Sequence, residues 1–407
     1  MIKPNGDQPP ERDADSNPGL QEIVTAAVQK HVQSKSTAGL AVGVITDGES
    51  RSFFFASNAN DRVAVPDGNS VFEIGSITKV FTTTVLADMH LKGEVHLDAP
   101  VNQYLPSSAR LPGQHGSEMT LRHLATHTTG LPRLPANLDF KKADLKNPYA
   151  HYTVDDLYNC LAKTKLKSKP GTRSEYSNFG SGLLGHILAK AADTDYETLV
   201  KQRICEPLAL MDTTITLSAD QRQRLAVGHS GGKPVPNWDL PALAGAGALR
   251  STLPDMLRFL RANVEPTSTP LERALKLAHE IQVERQYRVY RDFGCMAPLI
   301  VAGLTGLFTW QSFGLPVWAR VAAVVASPVV LYCLWPMGLD TMALGWHVDD
   351  LFFDKPVLWH NGGTGGYASY MAFQRETRQG VVLLANSDKA PDAVGRKLLR
   401  CLKPTPG

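Results

Sequence analysis

The sequence predicts an α+β fold: an antiparallel sheet flanked by helices and completed by both ends of the chain, plus an all-helical lobe. Two hairpins carry the sheet. Gly39–Ile45 and Ser52–Ala56 are apolar runs joined by Asp47-Gly48, a strong hairpin signal. Near the other end, Tyr367–Phe373 and Val381–Asn386 flank a polar turn that closes with Gly380. Mostly helical patterning between the hairpins carries the lobe.

The remaining elements follow in order. Gly19–Ser34 can form an amphipathic helix, with Ile23, Ala26, Ala27 and Val28 on its apolar face. Pro391–Leu402 reads as a closing helix. The sheet domain is therefore expected from residues 19–85 and 245–407, and the helical lobe from residues 86–244. Residues 1–18 are polar and rich in Pro, Asp, Asn and Gln. They lack the basic and apolar regions of a secretory signal and read as a disordered leader.

Composition narrows the function. Of 407 residues, 43% are hydrophobic and 20% charged, enough for a sizeable core. The formal net charge is +3 with no long basic tract, so no nucleic-acid partner is expected. Five scattered cysteines without a C-x-x-C pair support neither a disulfide framework nor a thiolate metal site.

One stretch departs from this pattern. Between Cys295 and Trp335 the single charged residue is Arg320, and Leu315-Pro316 divides two apolar runs. Each run approaches the roughly 20 residues that span a bilayer. The apolar insertion, residues 292–337, fits a membrane hairpin with Trp310, Trp318 and Trp335 at the interface. A pair of mutually packed helices inserted into a soluble domain fits it as well. Arg285, Arg288 and Arg291 favour a cytoplasmic flank, which runs against an extracytoplasmic substrate.

Three short motifs carry chemistry. In Ser76-Ile77-Thr78-Lys79, a helix beginning near Ser76 places hydroxyl and amine on one face. Its N-terminus favours negative charge on the serine oxygen. A serine hydroxyl needs an adjacent base, and a desolvated lysine with a lowered pKa can serve. In Tyr176-Ser177-Asn178, a phenol can relay a proton and an amide can hold a substrate carbonyl. In His360-Asn361-Gly362-Gly363-Thr364-Gly365-Gly366, glycines beside a strand let a substrate backbone approach closely. There the Gly363 N–H can supply half an oxyanion hole, with the Ser76 N–H as the other half.

In order and separation, the three motifs resemble the active site of serine β-lactamases and penicillin-binding proteins. The closest resemblance is to class C β-lactamases and their relatives, including AmpH-type D,D-peptidases and β-lactamase-fold esterases. Connecting stretches resemble the same family: Leu124–Pro132, Glu206–Thr214, Gly247–Thr252 and Met342–Trp346. The likeness covers about residues 20–285 and 338–400. It implies a β-lactamase/transpeptidase-like fold with the cleft between sheet domain and lobe. It also implies that Ser76 forms an acyl-enzyme, Lys79 assists, Tyr176 transfers protons and Asn178 orients substrate.

His360 stands where many members have lysine. Lysine there is a fixed cation for a substrate carboxylate, whereas histidine is neutral or charged according to its surroundings. That departure points toward peptidase or esterase chemistry rather than efficient β-lactam hydrolysis. The apolar insertion is a second departure. By resemblance the substrate is a small molecule or a peptidoglycan peptide, no cofactor is needed, and the protein belongs to the cell envelope.

Other readings compete. Gly228-His229-Ser230-Gly231-Gly232 matches the G-x-S-x-G elbow, but Pro234 and Pro236 oppose the helix that must follow it. Ser230-Gly231-Gly232-Lys233 is a second S-x-x-K in a loop that cannot align the pair. His123 and His127 have i, i+4 spacing, yet no third ligand is evident and no metal is expected. From another class, the chain would be a penicillin-binding-like sensor or scaffold at the membrane without turnover. The intact Ser76, Lys79 and Tyr176 argue for catalysis.

Overall fold

The computed structural model describes residues 18–34, 38–57, 64–111, 118–138, 146–284, 340–349, 353 and 355–402. The leader call (1–18, but for Pro18) and the insertion call (292–337) lie outside them. Among the described residues, no helix is long and apolar enough to cross a membrane.

The first hairpin forms as expected from its turn. Strand β1 (Gly39–Thr46) pairs antiparallel with β2 (Glu49–Ala56), with Thr46 opposite Glu49. Asp47 and Gly48 both take positive φ, 53° and 74°, as a two-residue loop matched to strand twist requires. The late hairpin is β9 (Ala368–Gln374) and β10 (Gln379–Ala385). Here the expected turn differs: Arg378, with φ 53°, closes it, and Gly380 lies inside β10 opposite Phe373.

The six-stranded sheet runs β2-β1-β10-β9-β8-β7, where β7 is His347–Asp349 and β8 is Val357–Gly363. Every pairing is antiparallel. Strands β1, β9 and β10 are buried along their whole length because both faces of the sheet are covered. Helices α1 (Pro18–Val32) and α11 (Asp392–Cys401) cover one face, packing on Leu40, Val42, Val44, Val381 and Leu383. The larger core lies on the other face, where Ala41, Ile45, Val382 and Leu384 meet α9 (Leu253–Val264).

Beyond α9, the second core continues into the helices that surround α2 (Thr78–Leu91). Helix α2 is buried nearly all round, so its apolar residues form no single stripe. Helix α5 (Asn178–Ala191) and the short α8 (Ala244–Gly247) flank it, and Gly185 faces Gly245 at their contact. Lys79 and the residues that meet it lie at this junction.

Candidate active site

Ser76 sits in a 3-10 turn, Gly75–Ile77, that leads directly into α2. The expected helix start is thus one short turn later than the motif implied. Lys79, in the first turn of α2, is 1% exposed. Its Nζ lies 2.8 Å from Ser76 Oγ, 2.9 Å from Asn178 Oδ1 and 2.6 Å from the Ala246 carbonyl oxygen. Burial, helped by the Arg133 charge, lowers the Lys79 pKa well below its ordinary value. A neutral amine has two N–H bonds and one lone pair. In that form it donates to both carbonyl-type oxygens and turns its lone pair toward the Ser76 hydroxyl.

Tyr176 and Asn178 are held by the start of α5. Ser177 caps that helix, accepting from Gly180 N at 2.9 Å and donating to the Pro132 carbonyl at 2.7 Å. Asn178 N and Phe179 N both donate to the Arg133 carbonyl. Lys79 Nζ lies 4.8 Å from the centre of the Tyr176 ring. Burial raises the Tyr176 pKa well above the usual phenol value, opposed by its interaction with Ser76 and by the Arg133 charge.

The third motif closes the site from the sheet. A Cβ on Gly362 would overlap the Ile74 carbonyl oxygen and lie 3.0 Å from Ser76 N. A Cβ on Gly75 would lie 2.6 Å from Gly363 N. Only glycines allow the end of β8 to lie this close to the Ser76 turn. Ser369 Oγ donates to the Ile74 carbonyl at 2.8 Å and ties β9 to the same turn. Gly363 itself is exposed.

His360 is fully buried, its ring centre 6.0 Å from that of Tyr176. Burial first, then the neighbouring His347 and Lys79, lowers its pKa well below 6.5. Its Nδ1 lies 2.6 Å from the Asn361 carbonyl oxygen, an acceptor, so Nδ1 carries the proton. Nε2 is then a lone pair, buried and without a partner among the described residues. His360 is thus a neutral acceptor, not the fixed cation that lysine would supply.

Of the seven residues named from the three motifs, Lys79, Tyr176, Asn178, His360, Gly362 and Gly363 gather around Ser76. Several neighbours were missed. His127, set aside above as a metal ligand, has its ring centre 4.5 Å from that of Tyr176 and accepts from Ser177 N through Nδ1. His347 lies 5.4 Å from His360 and stacks on Trp359 at 4.6 Å between ring centres. Arg133 lies over the Tyr176 ring, with Cζ 5.1 Å from its centre. Two of the family-like stretches end one residue before Arg133 and His347, the signal that pointed to them.

The competing motifs resolve differently. Ser230 and Lys233 pair across a two-residue hairpin with Gly231 and Gly232 at positive φ, so no helix follows the serine. Ser230 Oγ donates to Asp388 Oδ2 at 2.7 Å and Lys233 is exposed. His123 forms a capping box with Thr120.

Comparisons with known proteins agree with this geometry. The chain is 35% identical over 241 residues to the D-alanyl-D-alanine-carboxypeptidase/endopeptidase AmpH of Escherichia coli K12. That match takes in 59% of this chain and 61% of AmpH, less than two thirds of the relative's length. Identity to a β-lactamase of Pseudomonas fluorescens is 27% over 375 residues, 91% of this chain and 94% of that protein. A Yersinia enterocolitica β-lactamase is 28% identical over 90% of this chain and 86% of its own length. The Beta-lactamase family model matches residues 24–402, a span that holds Ser76, Lys79, Tyr176 and His360 together. The chain belongs to the Beta-lactamase family.

Proposed function

We propose that the chain is a serine hydrolase that turns over acyl donors through an acyl-enzyme on Ser76. The observation that carries this reading is the 2.8 Å contact between Ser76 Oγ and the buried Lys79 amine. Held toward its neutral form, Lys79 takes the hydroxyl proton as Oγ attacks the substrate carbonyl. Negative charge on the tetrahedral oxygen is met by the Ser76 and Gly363 N–H groups. Collapse breaks the bond to the leaving amine or alcohol, and Tyr176 passes it a proton. Water then releases the acyl group by the reverse sequence.

D-alanyl peptides and β-lactams are the substrate classes that the relatives' names support, and simple esters come next. The neutral, acceptor-only His360 offers no cation to a substrate carboxylate, so a donor that carries one must be met by a group other than residue 360. An envelope location goes with a D-alanyl peptide substrate. No observation favours the binding-only reading.

Intact-mass analysis after incubation with a fluorescent penicillin tests the nucleophile. The adduct is expected in the wild type and in Ser230→Ala and is lost in Ser76→Ala. An adduct that survives Ser76→Ala overturns the reading.

A further inference from the structure

The bases packed around Ser76 are all held toward neutrality. Burial is the first cause for Lys79, His127 and His360, each lowered well below its ordinary value, and for His347, pushed down to about 4. Each is a weaker partner for an anionic substrate than a group that keeps its full charge.

Arg133 differs from them. A guanidinium stays charged throughout the accessible pH range. The Arg133 side chain is exposed, and its Cζ lies 5.1 Å from the Tyr176 ring centre. Its backbone is pinned, because the Arg133 carbonyl accepts from Asn178 N at 2.9 Å and Phe179 N at 3.3 Å. The residue is thus fixed to the same turn that presents Tyr176 and Asn178. A guanidinium is a planar fork of N–H donors that matches a planar, bidentate acceptor. Among the described residues, no carboxylate is paired with it: the ion pairs involve other arginines and lysines.

We propose that Arg133 is the anion-binding residue of this site, pairing with a carboxylate that the substrate carries close to its scissile carbonyl. The anchor then comes from the loop after His127, which packs on the start of α5, rather than from position 360 on the sheet. This inference rests on acylation of Ser76 and adds a substrate class to it: acyl donors with a carboxylate in the acyl half or in the leaving group. Neutral donors lack the group that Arg133 pairs with.

Three esters separate the cases in the full chain. p-Nitrophenyl acetate is neutral, mono-p-nitrophenyl glutarate carries its carboxylate in the acyl group, and 3-carboxy-4-nitrophenyl acetate carries it in the leaving group. The readout is the kcat/KM ratio of each charged ester to the neutral one. For at least one charged ester, Arg133→Gln is expected to lower that ratio about tenfold, mainly through KM, as loss of a charge-assisted pair implies. Arg133→Lys, which keeps the charge, is expected to retain most of it, and raising the salt concentration to shrink the wild-type preference.

If Arg133→Gln leaves both ratios at their wild-type values, the inference is overturned. This includes a loss shared equally by all three esters, which would mean that Arg133 acts through Lys79. In that case Ser76-dependent turnover of the neutral ester still stands. Absence of any Ser76-dependent turnover or adduct would overturn the proposed function and this inference together.

Discussion

Gly362 and Ser76 meet backbone to backbone: a Cβ on Gly362 would lie 3.0 Å from the Ser76 amide nitrogen and would overlap the Ile74 carbonyl oxygen. The late strand and the serine turn come from opposite ends of the chain, 286 residues apart in number (362 − 76). Their contact brings the backbone of Gly363 beside the Ser76 turn. Gly362→Ala must push them apart, and its acylation rate is expected to fall at least about 100-fold, the scale of losing one oxyanion donor. Stopped-flow acylation with circular dichroism as a folding control checks this. A folded Gly362→Ala that acylates at the wild-type rate would contradict it.

The contact between Gly185 and Gly245 gives a second prediction. A Cβ on Gly245 would lie 2.8 Å from Gly185 Cα and 3.0 Å from the Ser181 carbonyl oxygen. Gly245→Ala forces α5 and α8 apart at a cost of about 1–3 kcal/mol. It also shifts the neighbouring Ala246 carbonyl, which accepts from Lys79 at 2.6 Å. Both Tm and acylation rate are expected to drop. An unchanged Tm would show that the junction is looser than described.

Buried histidines set the acid limit of stability. Burial pushes the His31 pKa down to about 4 and that of His279 to about 3, against an ordinary value of 6.5. Both bind protons more readily when unfolded, so their contribution is complete above pH 6.5. It is lost as pH falls toward 4 and 3. Between pH 7 and pH 5 each is expected to remove about 2 kcal/mol.

His279→Gln isolates one of them. The His279 Nε2 donates to Asn263 Oδ1 at 2.9 Å, a bond that the glutamine amide can replace. Urea midpoints at the two pH values should fall less in the variant than in the wild type. Equal falls would mean that His279 does not titrate in this range.

Part of this molecule was readable from its sequence, for definable reasons. Asp47-Gly48 announces its hairpin because two successive positive φ values favour those residue types. The S-x-x-K, Y-x-N and H-x-G motifs were readable because each is short and local. The turn before β10 was misjudged, since Arg378 takes the positive φ that glycine usually supplies. Arg133, His127 and His347 stayed hidden because they reach Tyr176 from a loop, a helix end and a sheet-edge strand. No spacing along the chain encodes that meeting. Nor could the charge of His360 be read, because burial and its bond to Asn361 decide it.

The central claim is that Lys79 activates Ser76 as a neutral base, and the acylation rate as a function of pH tests it most directly. Wild-type acylation should rise with pH through a single ionisation well below 10.5, because the free amine prevails above its lowered pKa. Lys79→Met keeps the bulk and removes the base, and should acylate about 1,000-fold more slowly without that ionisation. A folded Lys79→Met protein that acylates at the wild-type rate with the same pH profile would contradict the account.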